Sequence, residues 1–257
     1  MCYNMKGLLN SQLKRAKYYR NHEAAKQIQE ELERLGESFQ VSGFAHPKMV
    51  IYTDKEAFKP VISIWGLIPI WVNDKQQLEK TWNSTLNARG ETIFEKPSFR
   101  DSARNKRCIL QIDGFYESHH FNGATYPYYI ERKDGELITL AGLWSEWTDK
   151  STGEIINTFT VVTTTGNKLL TKIHNNPKLD GPRMPVILED DKINDWLKPV
   201  YNDSDIKDIK QLIIPFPDDK LKAHTVKKLR GKESPGNTAE ASEEFTYEEL
   251  KNLFENG

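Results

Sequence analysis

The chain has 257 residues, 37% hydrophobic and 28% charged, with a formal net charge of −1. That length can bury a sizeable core in one large domain or two small ones. The near-neutral balance excludes a globally basic nucleic-acid binder, so any such contact has to come from local patches.

No apolar run is long enough to span a bilayer, and the start carries no charged-then-apolar signal segment. Two cysteines, Cys2 and Cys108, make no disulfide framework, which points to a reducing cytoplasm. Residues 11–35 read as one charged amphipathic helix stopping at Gly36. KMVIYTD and PVISIWGLIPIWV, within 44–72, read as strands. RCILQIDGFYESHH at 107–120 reads as strand, turn and strand. ATYPYYIERKDGELITLAGLWSEW at 124–147 reads as a hairpin turning at KDGE, then a further strand. FTVVTTT is another strand, GNKLLTKIH a short helix, and KINDWLKP a second helix stopped by Pro199. The tail from Ser234 starts as loop and ends in an acidic helix that Thr246 would cap. Strands joined by hairpin-length turns, with helices at the ends, predict an α+β fold around a largely antiparallel, strongly curved sheet. Regular βαβ alternation and a Gly-rich phosphate loop are both missing, which argues against a nucleotide cofactor.

Four stretches concentrate polar groups in apolar surroundings: MC at 1–2, LNARGET at 86–92, DGFYE at 113–117 and IHNNPKLDGPRMPVIL at 173–188. Singly, each has a plain structural reading: Asn87 bonding a turn, Glu117 at a strand end, His174 satisfied in the core, Arg183 in a loop ion pair. Together Cys2, Glu117, His174 and Asn87 supply a nucleophile, an acid, an imidazole and an orienting carboxamide, with Arg89 and Arg183 as anion contacts. His119 and His120, placed in a loop, lack the further ligands a zinc site needs, so no metal is expected. Cys108 reads as a buried small hydrophobe.

These stretches resemble the SRAP family, the SOS-response-associated peptidase or abasic-site-processing proteins. The matching segments are MC, WGLIPIW at 65–71, NARGET at 87–92, RCILQIDGFYE at 107–117, AGLW at 141–144, FTVVTT at 159–164, IH at 173–174 and RMPVIL at 183–188. The resemblance implies a single SRAP domain over 1–257, a curved barrel-like β core with peripheral helices. Core motifs occupy 1–190, a basic segment 220–232, and a loop with an acidic tail 233–257. It also implies a role in the DNA damage (SOS) response: covalent capture of the ring-opened abasic-site aldehyde in single-stranded DNA by Cys2 once Met1 is removed. Thiol autopeptidase and AP-lyase-like activities come with it.

In that reading Glu117 does acid–base work, His174 assists sugar ring opening, and Asn87 holds the site and the cysteine end. Trp71 is a wedge against the base stack, and Arg89 and Arg183 position flanking phosphates. The expected partner is single-stranded DNA or a strand junction carrying an abasic site, met by a cytoplasmic monomer at the damaged nucleoid, with no cofactor, metal or membrane.

A free α-amine, with an ordinary pKa of about 7.7–8.0, is partly neutral at pH 7, whereas lysine near 10.4 is not. Amine and thiol on one residue can close a thiazolidine on the aldehyde, the second step being intramolecular. The basic runs at 99–107 (Arg100, Arg104, Lys106, Arg107) and 220–232 fit phosphate contact. The chain departs from the family at Tyr3 and Asn4, where Gly and Arg are usual, and at Ser118, where Trp is common. Two other readings fit the same residues: a cysteine peptidase built on Cys2, His174 and Glu117, and a non-covalent single-stranded DNA-binding module.

Overall fold

A computed structural model describes residues 2–251. Strand β1 (Asn4–Gly7) leads into helices α1 (Leu9–Tyr18) and α2 (His22–Leu35), then β2 (Ser38–Ser42), β3 (Lys48–Thr53) and β4 (Pro60–Trp65). Helix α3 (Lys75–Thr81), β5 (Asn87–Arg89) and α4 (Arg100–Asn105) precede β6 (Arg107–Ile112), β7 (Gly114–Phe121), β8 (Ala124–Arg132), β9 (Ile138–Thr148) and β10 (Ile155–Thr165). Helix α5 (Lys168–Ile173), β11 (Arg183–Pro185), β12 (Ile187–Leu188), α6 (Ile193–Leu197), α7 (Asp203–Gln211) and β13 (Leu221–Thr225) complete the order.

The pairings β10–β4–β3–β6–β9 return from β9 to β10, which closes a five-stranded barrel. Only the β10 pairings with β4 and β5 are parallel among the described strands. A second, wholly antiparallel sheet runs β13–β8–β7–β1–β2. The α+β, largely antiparallel and curved reading therefore holds.

Period-two alternation sorts the barrel strands between two cores. Met49 and Ile51 of β3, Cys108 and Leu110 of β6, and Leu140 and Trp144 of β9 join the second sheet's Met5, Phe115 and Ile130. Their alternates Val50, Tyr52, Ile109, Ala141 and Leu143 pack with α1, α2 and Trp196 of α6. Both faces of β6 are buried, which is why RCILQI reads as a continuous apolar run.

Four sequence expectations are corrected. The first helix is two: Arg20 sits at φ 56° and Asn21 caps α2 by accepting from Ala24 N at 3.1 Å. Strands β8 and β9 form no hairpin, because the KDGE turn passes the chain from the second sheet to the barrel. His119 and His120 lie on β7 rather than in a loop. Thr246 makes no cap bond among the described residues: Tyr247 precedes the short 3₁₀ turn Glu248–Leu250 without a side-chain cap bond, and the rest of the expected acidic helix lies outside the described residues.

Gly114 starts β7 where the chain leaves the barrel. A Cβ there would stand 2.5 Å from Ile130 O and 2.5 Å from the Tyr129 hydroxyl. Gly114→Ala should therefore lower stability by roughly 2–3 kcal/mol, read as a shifted urea midpoint. An unchanged midpoint would mean that β7 and β8 separate at no cost there.

Candidate functional site

Cys2 lies two residues before the start of β1, which lies between β2 and β7 in the second sheet. Asn87 opens β5 and donates from Nδ2 to Cys2 O at 2.9 Å. Its Oδ1 is buried with no hydrogen-bond donor among the described residues. Glu117 sits within β7, 9% exposed, and its carboxylate bears electrostatically on the Cys2 thiol. His174 ends α5, 5% exposed, with Nε2 4.0 Å from Glu117 Oε1. Elements far apart in sequence thus bring the four expected residues together.

The electrostatics divide their roles. Cys2 is fully buried, and burial, then the Glu117 charge, push its thiol well above the ordinary value. Burial raises the Glu117 carboxyl from 4.5 to about 7. Burial, chiefly, lowers His174 from 6.5 to about 4, so the imidazole is neutral at pH 7. The Arg183 backbone N–H donates to His174 Nδ1 at 2.9 Å, so the neutral ring carries its proton on Nε2, toward Glu117. The pair is an acid half-protonated near neutrality facing a neutral N–H. It is not a thiolate–imidazolium couple.

The other expected contacts are distributed differently. Trp71 is 41% and Ile70 60% exposed at the tip of a loop after β4. The loop is pinned below its tip: Ile68 N donates to Thr158 Oγ1 at 2.9 Å, and Trp147 Nε1 donates to Val72 O at 2.7 Å. Gly66, at φ 122°, makes the turn into it, and a Cβ there would meet the Trp82 ring at 2.5 Å. Ile70, the other apolar residue after Pro69, shares the exposed tip with Trp71.

Arg89 is exposed and pairs with Asp180 at 3.5 Å. Arg183 is 8% exposed and bidentate to Glu91 at 2.7 and 2.8 Å, with Thr163 O accepting at 2.9 Å. The Arg183 hydrogen bonds hold the Glu91 carboxyl below its ordinary value.

Arg107 leaves the basic patch altogether. It is fully buried and donates to the Trp196, Ala103, Arg104 and Lys198 carbonyls, sealing the C-terminal ends of α4 and α6. The run at 220–232 includes edge strand β13, and several of its cations are engaged: Lys222 with Glu131 at 3.2 Å, Lys227 with Glu240 at 3.6 Å, and Lys228 over the Tyr126 and Tyr247 rings. Asn4 accepts from Gln40 Nε2 at 2.9 Å. No helix among the described residues is long and apolar enough to cross a membrane, and no group of three or more metal-ligating side chains converges there.

The family model for SOS response associated peptidase (SRAP) matches residues 5–232. The chain belongs to the SRAP family. It is 39% identical over 166 residues, covering 64% of this chain and 68% of the relative, to the abasic site processing protein YoqW of Bacillus subtilis (strain 168). It is 33% identical over 171 residues to the abasic site processing protein HMCES of Xenopus tropicalis, covering 59% of this chain and 48% of that one. A crystal structure of a protein from Bacteroides thetaiotaomicron superposes with a TM-score of 0.80 at 31% identity, covering 95% of this chain and all of that one. The SRAP match accounts for the order of the motifs and for a barrel with peripheral helices.

Proposed function

We propose that the protein processes abasic sites in DNA by capturing the ring-opened aldehyde covalently at Cys2, after Met1 is removed. The observation that carries this reading is the meeting of Cys2, Asn87, Glu117 and His174 in one buried cluster. The names of the relatives supply the substrate.

The chemistry balances on residues present. The Cys2 α-amine attacks the aldehyde carbon and forms a C–N bond, while the carbonyl pair moves to oxygen and takes a proton. Glu117, near half-protonated at neutral pH, donates the proton that expels water and leaves an iminium. The thiol adds to that carbon, its S–H proton leaves to a base, and a five-membered ring closes. The net change is one water lost. His174 Nε2–H, facing Glu117, assists opening of the furanose and passes the proton on. Asn87 Oδ1 is an acceptor for a donor on the incoming sugar. An iminium that lingers before ring closure is open to β-elimination, which is the source of the lyase-like side reaction.

The raised thiol pKa favours capture over the cysteine-peptidase reading. A peptidase needs a thiolate beside a protonated imidazole. Here the thiol is held protonated and the imidazole neutral, so the amine is the first nucleophile.

Ile70 and Trp71 form the stacking wedge, and Arg89 exchanges Asp180 for a phosphate. Arg89→Ala should therefore reduce the slope of log K against log salt for single-stranded DNA by about 0.7. An unchanged slope removes Arg89 from the interface. The covalent reading is tested on a denaturing gel with abasic and intact single-stranded DNA, the mature N-terminus being verified by mass spectrometry. A heat-stable band with abasic DNA alone is expected. No band from protein shown to begin at Cys2 would overturn the reading.

A further inference from the structure

The two adjacent histidines on β7 have no part in the chemistry above, and His120 meets a residue to which no role has been given, Asn175. Beyond Tyr116, β1 no longer pairs with β7, so the backbone edge there needs other partners. Asn175, immediately after His174, supplies them at His120. The His120 N–H donates to Asn175 Oδ1 at 2.7 Å, and Asn175 Nδ2 donates to His120 O at 2.9 Å. One carboxamide thus reproduces both bonds of a β-bridge. Next to it, His119 Nδ1 lies 3.0 Å from Lys172 O in the last turn of α5. A carbonyl only accepts, so Nδ1 carries the proton and seals that orphan helix carbonyl.

We propose that Asn175, aided by His119, is a positioning residue that clamps the end of α5 to β7 and so fixes His174 against Glu117. The argument is geometric. Three attachments bear on His174: its N–H donates to Leu170 O at 2.7 Å, its Nδ1 accepts from Arg183 N at 2.9 Å, and its C-terminal neighbour is forked to β7. The first two tie it to α5 and β11. The third ties it to the strand that carries Glu117, three residues before His120, and the His119–Lys172 contact supports the same junction. Without the fork, the segment 175–182 between His174 and Arg183 loses its anchor on β7. A 4.0 Å separation leaves little room for drift, since misplacement by about an ångström costs up to about a hundredfold in rate.

The clamp's catalytic consequence rests on the capture reading, whereas its effect on the imidazole does not. The test therefore has two arms on the full chain. In the first, NMR of histidine-labelled protein follows the His174 ring, which is faced by Glu117 and His120 from β7 and by Arg183 from β11, and which also feels the charge of the α-amine. The parent should keep the Nε2–H tautomer well below pH 6, because burial lowers its pKa to about 4. Asn175→Ala should shift the titration toward the ordinary histidine range, and Asn175→Gln, with the same fork on a longer stem, should recover most of the shift.

In the second arm, Asn175→Ala should slow capture at saturating abasic DNA by roughly tenfold or more while DNA affinity stays unchanged, and Asn175→Gln should restore the rate. An unmoved His174 titration in Asn175→Ala overturns the clamp. So does a rate loss explained by weaker DNA binding. A parent that captures nothing overturns the function above, while the NMR arm still decides the positioning.

Discussion

Cys2→Ala should abolish the heat-stable adduct and leave a weaker one that borohydride can trap. Alanine at position 2 still permits removal of Met1, so the mature variant keeps an α-amine at the same place and loses only sulfur. The amine can still form an imine with the aldehyde, and imines hydrolyse on heating. Intramolecular ring closure has an effective concentration far above any a separate thiol can reach, so the surviving heat-stable product should fall by about three orders of magnitude or more. Reduction before denaturation should recover a band of comparable intensity, because it fixes the C–N bond that the variant still makes. A chain with an extra residue between Met1 and Cys2 that prevents exposure of the cysteine amine should give no heat-stable band without reduction. The three outcomes separate the amine from the thiol. If the blocked chain still forms a heat-stable adduct, the thiol alone is the nucleophile and the peptidase-like arrangement returns. If Cys2→Ala forms a full heat-stable adduct, the nucleophile lies elsewhere.

The candidate cluster was legible because Asn87 and Glu117 lie in long motifs and because an N-terminal cysteine has a chemistry that needs no neighbours to be recognised. What surrounds it was less legible. Arg107 sits in a run of cations and reads as surface, yet it is buried because the carbonyl ends of α4 and α6 converge on it, the latter from about ninety residues away. The KDGE turn has the right turn residues for a hairpin. Local turn chemistry cannot tell whether the next strand pairs back on β8 or crosses to β6, and here β6 wins through the six-residue register from Arg107–Leu143 to Ile112–Ile138. Arg183 reads as a phosphate contact, but Glu91 takes both arms of its guanidinium. Asn175 carried a single faint signal, a carboxamide directly after His174. Its use depends on where β1 stops pairing with β7, which is a property of the sheet and not of any window of sequence. The helix break at Asn21 was readable, since an asparagine before a run with Glu in its first turn is an N-cap signal.

Glu117→Gln should make the protein more stable and far slower, and the two effects should have different pH dependences. Burial raises the folded-state pKa from 4.5 to about 7, so the folded protein holds a proton that the unfolded chain gives up earlier. Across about pH 4.5 to 7 the unfolded state binds fewer protons than the folded one, and this carboxyl's contribution makes stability fall as pH rises. Below the window the carboxyl is protonated in both states and costs nothing by this route. Above it the full penalty, on the order of 3 kcal/mol, is present.

His174 acts with the opposite sign. Its depressed folded pKa costs stability as pH falls from 6.5 toward 4, and that limb should persist in the variant. Urea midpoints at pH 8 should therefore rise in Glu117→Gln, and the gain should fade as pH approaches 4.5. Capture should slow by about 10²–10⁴-fold, the usual worth of a positioned general acid. The parent's rate needs a neutral amine and a protonated Glu117, so it should peak between about pH 7 and 8 and decline on either side. Glutamine donates no proton at any pH, so the variant's residual rate should rise with the amine and then stay level. A variant that keeps the alkaline decline would show that another group is the acid. One that gains no stability at pH 8 would show that the Glu117 carboxylate is solvated or paired well enough in the folded state for its burial to cost nothing.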